Sequence, residues 1–321
     1  MTVRPLISVS SGDGWRSGIG GVDVIVYLCL AMIERVSTLQ SSKGEYRLSE
    51  KSRQWRLIYD EPASGMRNMA VDEAILDAVA RGDQPPTLRL YAWDPACLSL
   101  GIGQRMTDAD PGRILLQGWN IVRRPTGGRA ILHIDELTYS VTVASGHPWA
   151  ALDIISSYRQ ISAALMRAVE SLGADPHAER RSDASPAKPG PVCFEVPSHY
   201  EITVDGRKLI GSAQVRRRQG LLQHGSLPLT GDLARICDAL AYRDDDARDA
   251  ARDQVRGRAV TLSEALGREV SWRQAADAVT AAFASAFDIS FIPSVISRDE
   301  RALADTLEHS KYASVSARQV V

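Results

Sequence analysis

The sequence has few cysteines, and their spacing excludes two kinds of site. The four thiols are spread over 321 residues without any Cys-x-x-Cys pair, at Cys29, Cys97, Cys193 and Cys237. Structural zinc sites and disulfide-rich secreted domains both need several cysteines at defined spacings. We therefore expect neither, and we expect a reducing, cytoplasmic setting.

The chain also lacks a long hydrophobic run and an excess of charge of either sign. Its longest apolar stretch, VIVYLCLAMI at residues 24–33, is much shorter than the roughly 20 residues of a membrane-spanning helix. It also begins too late for an ordinary signal peptide. The formal net charge is -1, from 38 Lys+Arg and 39 Asp+Glu, so no overall field attracts nucleic acid or an anionic membrane. We expect a globular protein that binds neither.

Residues 1–53 differ in character from the rest of the chain. They are rich in glycine, serine and other turn-forming residues, which predicts a poorly ordered extension. A misassigned start codon, with Met32 as the alternative, would also explain them. We expect one domain over residues 54–288 and a C-terminal tail at 289–321, with a weak helical pattern at 299–307.

The hydrophobic pattern predicts helices and strands in alternating groups. A helix at 68–81 is followed by two strands, 87–93 and 97–102, which the turn at Asp94-Pro95 would join as a hairpin. Further strands are expected at 120–124, 129–133 and 137–143, then a helix at 153–172, a meander at 200–204, 209–215 and 221–224, and helical segments at 233–242, 261–266 and 272–287. This order is typical of an α+β fold with a mixed, mostly antiparallel sheet flanked by helices. The Gly-x-Gly at Gly101 lacks the third glycine of a dinucleotide fingerprint.

Cys193 and Lys208 are the first candidates for chemistry. Cys193 follows a loop rich in proline and glycine (186–191), and Lys208 follows the tight Asp205-Gly206 turn. A thiolate is the reactive form of cysteine, and a nearby cation lowers the pKa of a thiol. The spacing therefore suggests a nucleophile with a cationic partner. It fits a buried structural cysteine beside a solvated lysine equally well, and Cys97 is expected to be a buried core residue.

Several other segments could line a binding site or have only a structural role. The sequence RRPTGGR (123–129) is either a backbone cradle for a ligand or a plain turn, and His133 by itself is more typical of a structural histidine. The small residues of GSAQ (211–214) would leave a slot for a linear aliphatic chain or allow a helix to pack closely. His224-Gly225 repeats that theme on the next strand.

Three consecutive arginines occupy the tip of a predicted hairpin. Arg216–Arg218 can be a solvated turn, or they can form a docking patch that speeds association with an acidic carrier protein. The sequence alone leaves both interpretations open.

Three motifs in order resemble one enzyme family. RRPTGGRAILH (123–133), ELTYSV (136–141) and VCFEVPSHYEITVDGRKLIGSAQVRRRQGLLQHGSLPL (192–229) are similar to motifs of the biotinyl/lipoyl protein ligase superfamily. Within that superfamily they look most like the LipM-type octanoyltransferases. The resemblance covers about 55–287 and implies a class-II-synthetase-like, biotin-ligase-like catalytic domain.

The resemblance also implies an activity and a role for each motif. Cys193 would carry the octanoyl group as a thioester, and Lys208 would lower the pKa of its thiol. The positions that would bind substrate are Arg124, Gly127, Gly128, His133, Gly211, Ser212 and His224. The donor would be octanoyl-acyl carrier protein, the acceptor a lipoyl domain such as that of glycine cleavage H protein, and the enzyme a monomer that uses no cofactor or metal.

Three rival functions share parts of this pattern. An ATP-dependent lipoate–protein ligase generally has a further glycine or alanine where this chain has Arg129, and it has no use for Cys193. An amidotransferase that moves octanoyl between lipoyl domains also uses a cysteine and differs only in its donor. A silent binding module is disfavoured because both Cys193 and Lys208 are present.

Overall fold

The computed structural model describes residues 53–179, 201–217 and 220–313. The strands are β1 (Gln54–Tyr59), β2 (Thr87–Tyr91), β3 (Cys97–Leu100), β4 (Asn120–Arg123), β5 (Ile131–His133), β6 (Glu136–Ala144), β7 (His177–Glu179), β8 (Glu201–Val204), β9 (Arg207–Arg217), β10 (Gly220–Pro228) and β11 (Ser290–Ser294). The helices are α1 (Gly65–Arg81), α2 (Pro111–Leu116), α3 (Pro148–Ala151), α4 (Ile154–Ser171), α5 (Asp245–Arg258), α6 (Leu262–Leu266), α7 (Trp272–Phe287) and α8 (Arg298–Leu307). Two short 3-10 turns (Met106–Asp108 and Leu233–Asp238) and a final π-turn (Glu308–Tyr312) complete these elements. The proposed extension at 1–53 lies almost entirely outside the described residues.

The strands form one large sheet and one small sheet. The large sheet has the order β11-β1-β2-β6-β10-β9-β8-β7, and the small sheet has the order β4-β3-β5. In the large sheet β1 is parallel to β11 and β2, and the other pairs are antiparallel. The expected mixed, mostly antiparallel sheet with flanking helices is therefore confirmed.

The hairpin expected from the first two predicted strands is wrong. β2 pairs with β1 and β6 in the large sheet, whereas β3 pairs with β4 and β5 in the small sheet. The turn at Asp94-Pro95 thus carries the chain from one sheet to the other. Partners far away in sequence bury both strands, and this burial outweighs the local turn signal.

Local sequence signals define the helix ends and one of the hairpin turns. Gly82 has a φ of 81°, and its N–H bonds the carbonyls of Ala78 and Val79 at the end of α1, an arrangement that glycine adopts without steric cost. Ser271 and Gln274 form a reciprocal capping box at the start of α7. The Asp205-Gly206 turn has both residues at positive φ, as a two-residue hairpin turn requires.

Helices cover both faces of the large sheet. On one face, α4 and α7 pack against the apolar side chains of the central strands, represented by Leu90, Val141 and Leu221. On the other face, α1 and α8 form a second core with Ile58 and the buried Cys97. The small sheet packs on α5 through a third cluster. None of the helices in the described ranges is both long and apolar enough to cross a bilayer.

The C-terminal residues belong to the sheet and its helix layer. The pattern predicted only a tail with a helix near 299–307, but β11 adds an edge strand beside β1, and α8 packs on α1. Arg56 on β1 and Glu300 on α8 form a two-fold hydrogen-bonded ion pair, with Arg56 Nη1 2.8 Å from Glu300 Oε2. Both side chains are at most 3% exposed, so this contact joins β1 to α8.

An aromatic cluster surrounds His147 beneath the sheet. The imidazole lies edge-on to Trp55 and Trp149, at 5.6 and 5.2 Å between ring centres. Its Nδ1 accepts a hydrogen bond from the backbone N–H of Trp149 at 3.2 Å, which caps α3. Burial lowers the pKa of His147 to about 4, so the ring is neutral in the folded protein near neutral pH.

This histidine is expected to make stability depend on pH. Between about 6.5 and about 4 the unfolded chain takes up a proton at His147 that the folded chain does not. The free energy of unfolding should therefore fall by about 3 kcal/mol as the pH decreases through that window. Urea unfolding of the native protein and of His147→Asn tests this, because asparagine keeps a capping acceptor and does not titrate. Identical pH dependence in the two proteins would contradict it.

Candidate active site

A cavity lies between the two sheets, below helix α1. It encloses about 500 Å³ of empty space, a figure that includes open solvent. Met69, Trp93 and Ile131 give it an apolar wall. Six of the residues assigned to the site from the sequence line it: Arg124, Gly128, His133, Gly211, Ser212 and His224. Motifs almost one hundred residues apart thus meet at one cavity.

Strands β9 and β10 provide the floor of the cavity. Gly211 and Ala213 line it from β9 and pair with Ser226 and His224 of β10. The Ser212 hydroxyl, in contrast, hydrogen-bonds the Tyr139 hydroxyl at 2.7 Å, so it is already engaged by the protein. The small residues expected to leave a slot therefore do lie along a cavity wall.

The Gly-Gly segment forms the opposite wall. Gly128 lines the cavity with a φ of 92°, a conformation that glycine adopts readily. A Cβ atom at Gly101 would lie 2.1 Å from the carbonyl oxygen of Gly128, so two backbones touch here. Gly127 is not on the wall, and its carbonyl accepts hydrogen bonds from the Arg124 side chain.

His224 is held in place by a buried carboxylate that the sequence did not reveal as part of the site. Its Nδ1 lies 3.3 Å from Oδ2 of Asp72 on α1, and its Nε2 lies 2.8 Å from Thr126 Oγ1. Burial lowers the pKa of His224 although Asp72 opposes this effect. The neutral ring therefore donates from Nδ1 to Asp72 and accepts from the threonine hydroxyl at Nε2.

Asp72 is a fully buried carboxylate with several donors. Arg89, Ser140 and Tyr91 each donate to it at 2.9 Å, in addition to His224. Burial by itself would raise the pKa of Asp72, but the hydrogen bond from His224 and the charge of Arg89 lower it below its usual value. The carboxylate is therefore ionised near neutral pH.

His133 has a similar arrangement on the small sheet. Its Nδ1 is 2.7 Å from Glu136 Oε1, and its Nε2 is 2.8 Å from Ser99 Oγ. The ring stacks on Trp93, with 3.9 Å between the ring centres, and Trp93 donates to Thr138 at 2.7 Å. His133 is therefore part of the cavity wall and is fixed on three sides.

Comparison with known proteins identifies the family. The lipoyl protein ligase A/B catalytic domain matches residues 64–284. Octanoyltransferase LipM of Kyrpidia tusciae is 41% identical over 258 residues, which cover 79% of this chain and 94% of that protein. The Brevibacillus brevis octanoyltransferase LipM is 39% identical over 269 residues, 81% of this chain and 97% of that protein. The chain belongs to the LipM octanoyltransferases.

Solved structures agree with this assignment at the level of the fold. A bi-partite lipoate protein ligase from Thermoplasma acidophilum has a TM-score of 0.68 at 25% identity, covering 81% of this chain and 94% of that one. Lipoate-protein ligase A bound with ATP gives a TM-score of 0.67, also at 25% identity, covering 81% and 96%. The ligase-like catalytic fold expected from the motifs is therefore confirmed, and the activity is that of an octanoyltransferase.

Of the two residues predicted to carry the chemistry, only Lys208 lies within the described residues. Cys193 lies outside the described residues. Lys208, on β9, is buried and is not on the cavity wall. Its ammonium forms an ion pair with the Glu201 carboxylate at the start of β8. The alternative of a solvated lysine is wrong, because Lys208 is 3% exposed.

The arginines at the hairpin tip contact the protein itself. Arg216 donates to the carbonyls of Ala150, Leu152 and Asp153, and Arg217 pairs with Glu73 at 2.6 Å. Arg218 lies outside the described residues. Arg216 is therefore held by backbone carbonyls, and the charge of Arg217 is paired with a carboxylate of the same chain.

Two buried carboxylates that hold cavity-lining histidines, Asp72 and Glu136, were missed by sequence reasoning. Asp72 occupies a helical position three residues after the buried Met69 and three before the buried Ile75, and an acidic residue on an apolar helix face is a detectable signal. Glu136 is the first residue of the segment ELTYSV and follows His133 by three positions. Nothing in the local sequence distinguishes it from a turn residue. In the residues that the structure describes, no cluster of three or more His, Cys, Asp or Glu could hold a metal ion.

Proposed function

We propose that this enzyme transfers an octanoyl group from octanoyl-acyl carrier protein to the lysine of a lipoyl domain, with Cys193 as the thioester carrier. The acceptor would be a domain such as that of glycine cleavage H protein, and the reaction would take place in the cytoplasm. The observation that carries the proposal is the cavity, which adjoins both the Gly-Gly segment and the small residues of β9. Membership of the LipM octanoyltransferases supports it.

The first half-reaction is a thiol exchange. The Cys193 thiolate attacks the carbonyl carbon of the donor thioester and forms a tetrahedral oxyanion. The bond to the donor sulfur then breaks, and the released pantetheine thiolate takes up a proton. Backbone N–H groups are the natural donors to such an oxyanion, and each typically contributes about 3 kcal/mol to its stabilisation.

Lys208 would provide a fixed positive charge for the thiolate. Its ammonium is held by Glu201, eight positions after Cys193 in the sequence. A buried ion pair is rigid, since breaking it leaves an uncompensated charge. We propose that the lysine lowers the pKa of the Cys193 thiol from this defined place.

The second half-reaction transfers the acyl group to nitrogen. A neutral lysine amine of the lipoyl domain attacks the acyl-cysteine, loses a proton, and releases the Cys193 thiolate. No ATP is consumed, because the acyl group remains activated as a thioester throughout. Burial of the acyl chain contributes about 0.8 kcal/mol per CH₂, so donors with an acyl chain shorter than octanoyl should bind more weakly.

Intact-mass spectrometry tests the proposal most directly. Mixing the full chain with octanoyl-acyl carrier protein, without ATP, should add the mass of one octanoyl group to the peptide that contains Cys193. Addition of apo H protein should then remove the group from the enzyme and place it on the H-protein lysine. The measurement is the mass of each protein and of its peptides as a function of time.

Matched reactions distinguish this proposal from its rivals. Free octanoate with ATP should leave the enzyme and H protein unmodified, whereas a ligase would modify H protein under those conditions. An amidotransferase would accept octanoyl-H protein as donor and react poorly with octanoyl-acyl carrier protein. Either of those two patterns would refute the proposal.

A further inference from the structure

The Arg124 guanidinium is fully used by the protein. Its Nε and Nη2 donate to the Gly127 carbonyl at 3.2 and 2.8 Å, and Nη2 also donates to the Arg129 carbonyl at 2.7 Å. Its Nη1 donates to the carbonyl and the hydroxyl of Ser99, both at 3.0 Å. A guanidinium has five N–H groups, and these five contacts use all of them. Arg124 therefore lines the cavity while its donors hold the loop 124–129.

Glycine at position 128 makes this arrangement possible. A Cβ atom there would lie 2.8 Å from Nη2 of Arg124, so a side chain would displace the guanidinium. The loop is thus held to β3 through Ser99 and is folded around the arginine. Because Gly128 forms the cavity wall, the position of that wall depends on Arg124.

The hydrogen bonds that hold Arg124 have a defined direction. Glu136 Oε1 accepts from Nδ1 of His133, 2.7 Å away, so in the neutral ring Nε2 is the acceptor and receives the hydrogen of the Ser99 hydroxyl, 2.8 Å away. Arginine only donates, so Ser99 Oγ in turn accepts from Arg124 Nη1. The hydroxyls of Thr138 and Ser226 also donate to Glu136, so this carboxylate is an acceptor only.

We propose that Glu136, His133 and Ser99 are positioning residues for octanoyl transfer. Glu136 fixes the Nδ1–H tautomer of His133, His133 orients the Ser99 hydroxyl, and Ser99 holds Arg124. Arg124 in turn places the Gly128 backbone against the acyl thioester. This inference rests on the proposed function and deepens it. None of the three residues forms a bond to the acyl group, so each acts only through Arg124 and Gly128. All residues of this hydrogen-bonded series are buried, with Ser99 at 0% and Arg124 at 3% exposure.

The replacement Glu136→Gln tests the chain of contacts with little change in volume. An amide can donate as well as accept, so the direction of the hydrogen bonds is no longer fixed. We expect kcat for octanoyl transfer to fall about 10- to 100-fold, because small displacements of a reacting group have effects of that size. We expect KM for octanoyl-acyl carrier protein to change less than about twofold, because apolar contacts with the chain remain.

A double-mutant cycle separates positioning from a general structural role. If the hydrogen-bonded series from Glu136 to Arg124 acts as a unit, Ser99→Ala should lower kcat as much as Glu136→Gln. The double variant should then be little worse than either single variant. Additive effects, or a kcat that falls only with the folded fraction, would overturn the inference. Glu264→Gln, at an exposed ion pair with Arg207, is the control and should transfer octanoyl at the native rate.

Nitrogen-15 NMR of the histidines provides a test that does not depend on kinetics. His133 should show a protonated Nδ1 and an unprotonated Nε2 at neutral pH, and Glu136→Gln should change that pattern. An Nε2-protonated ring in the native enzyme would overturn the inference. If the native enzyme forms the Cys193 adduct but the Glu136→Gln and Ser99→Ala variants transfer normally, only this inference fails. If no adduct forms, the proposed function itself fails.

Discussion

Replacement of Cys193 by serine is expected to reduce octanoyl transfer by about 1,000-fold or more. A thiol with an ordinary pKa of about 8.5 is partly ionised near neutral pH, and a nearby cation increases that fraction. A serine hydroxyl is not ionised under these conditions without a dedicated base. Transfer to H protein, followed by mass spectrometry under single-turnover conditions, measures the loss.

The remaining cysteines provide the controls for that experiment. Cys97 and Cys237 are both buried, and burial raises the pKa of the Cys97 thiol well above its ordinary value. They should therefore not take up the acyl group in place of Cys193. Cys29→Ser should retain native transfer and native adduct formation. Normal transfer by Cys193→Ser would refute the covalent mechanism.

Removal of Glu300 should produce the largest loss of stability. Arg56 and Glu300 are both nearly completely buried, so Glu300→Ala leaves a guanidinium without its counter-charge. The expected decrease in the free energy of unfolding is about 3–5 kcal/mol. Burial by itself would raise the pKa of Glu300, but the hydrogen bond from Arg56 lowers it below its usual value, so the carboxylate is ionised at neutral pH. Denaturant unfolding at neutral pH measures this decrease.

The matched control lies on the same helix. Asp305 pairs with Arg67 at 2.5 Å but is 59% exposed, and exposed pairs contribute about 1 kcal/mol or less. Asp305→Ala should therefore unfold close to the native transition. Replacing both members of the buried pair, as in Arg56→Met with Glu300→Leu, should restore most of the lost stability. Equal effects of Glu300→Ala and Asp305→Ala would contradict the assigned role of the buried pair.

Elements that depend on local sequence were predicted well. The helix expected at 272–287 is observed with those bounds, because apolar periodicity and the Ser271 cap are both local. The prediction of a tight turn at Asp205-Gly206 was correct for the same reason. Gly128 of the Gly-Gly segment and three residues of the GSAQ segment, both selected from the sequence for their small side chains, do line one cavity.

Features that depend on distant partners were predicted less well. The 87–102 hairpin failed because β2 and β3 find their neighbours in different sheets. Asp72 and Glu136 were missed because a buried carboxylate is explained only by donors such as His224 and His133, which lie on other elements. Edge strand β11 contains Pro293, which disfavours a strand in sequence, although an edge position tolerates it.

The ion pair between the first strand and the last helix has a consequence for synthesis on the ribosome. Arg56 and Glu300 are separated by 244 positions, so the arginine is made long before its partner emerges. Nascent chains fold from the N-terminus as they appear, but β1 cannot settle in its final place with a lone charge beneath it. Final assembly of the enzyme should therefore wait until Glu300 has emerged, and ribosome-bound chains that end before Glu300 should remain sensitive to protease.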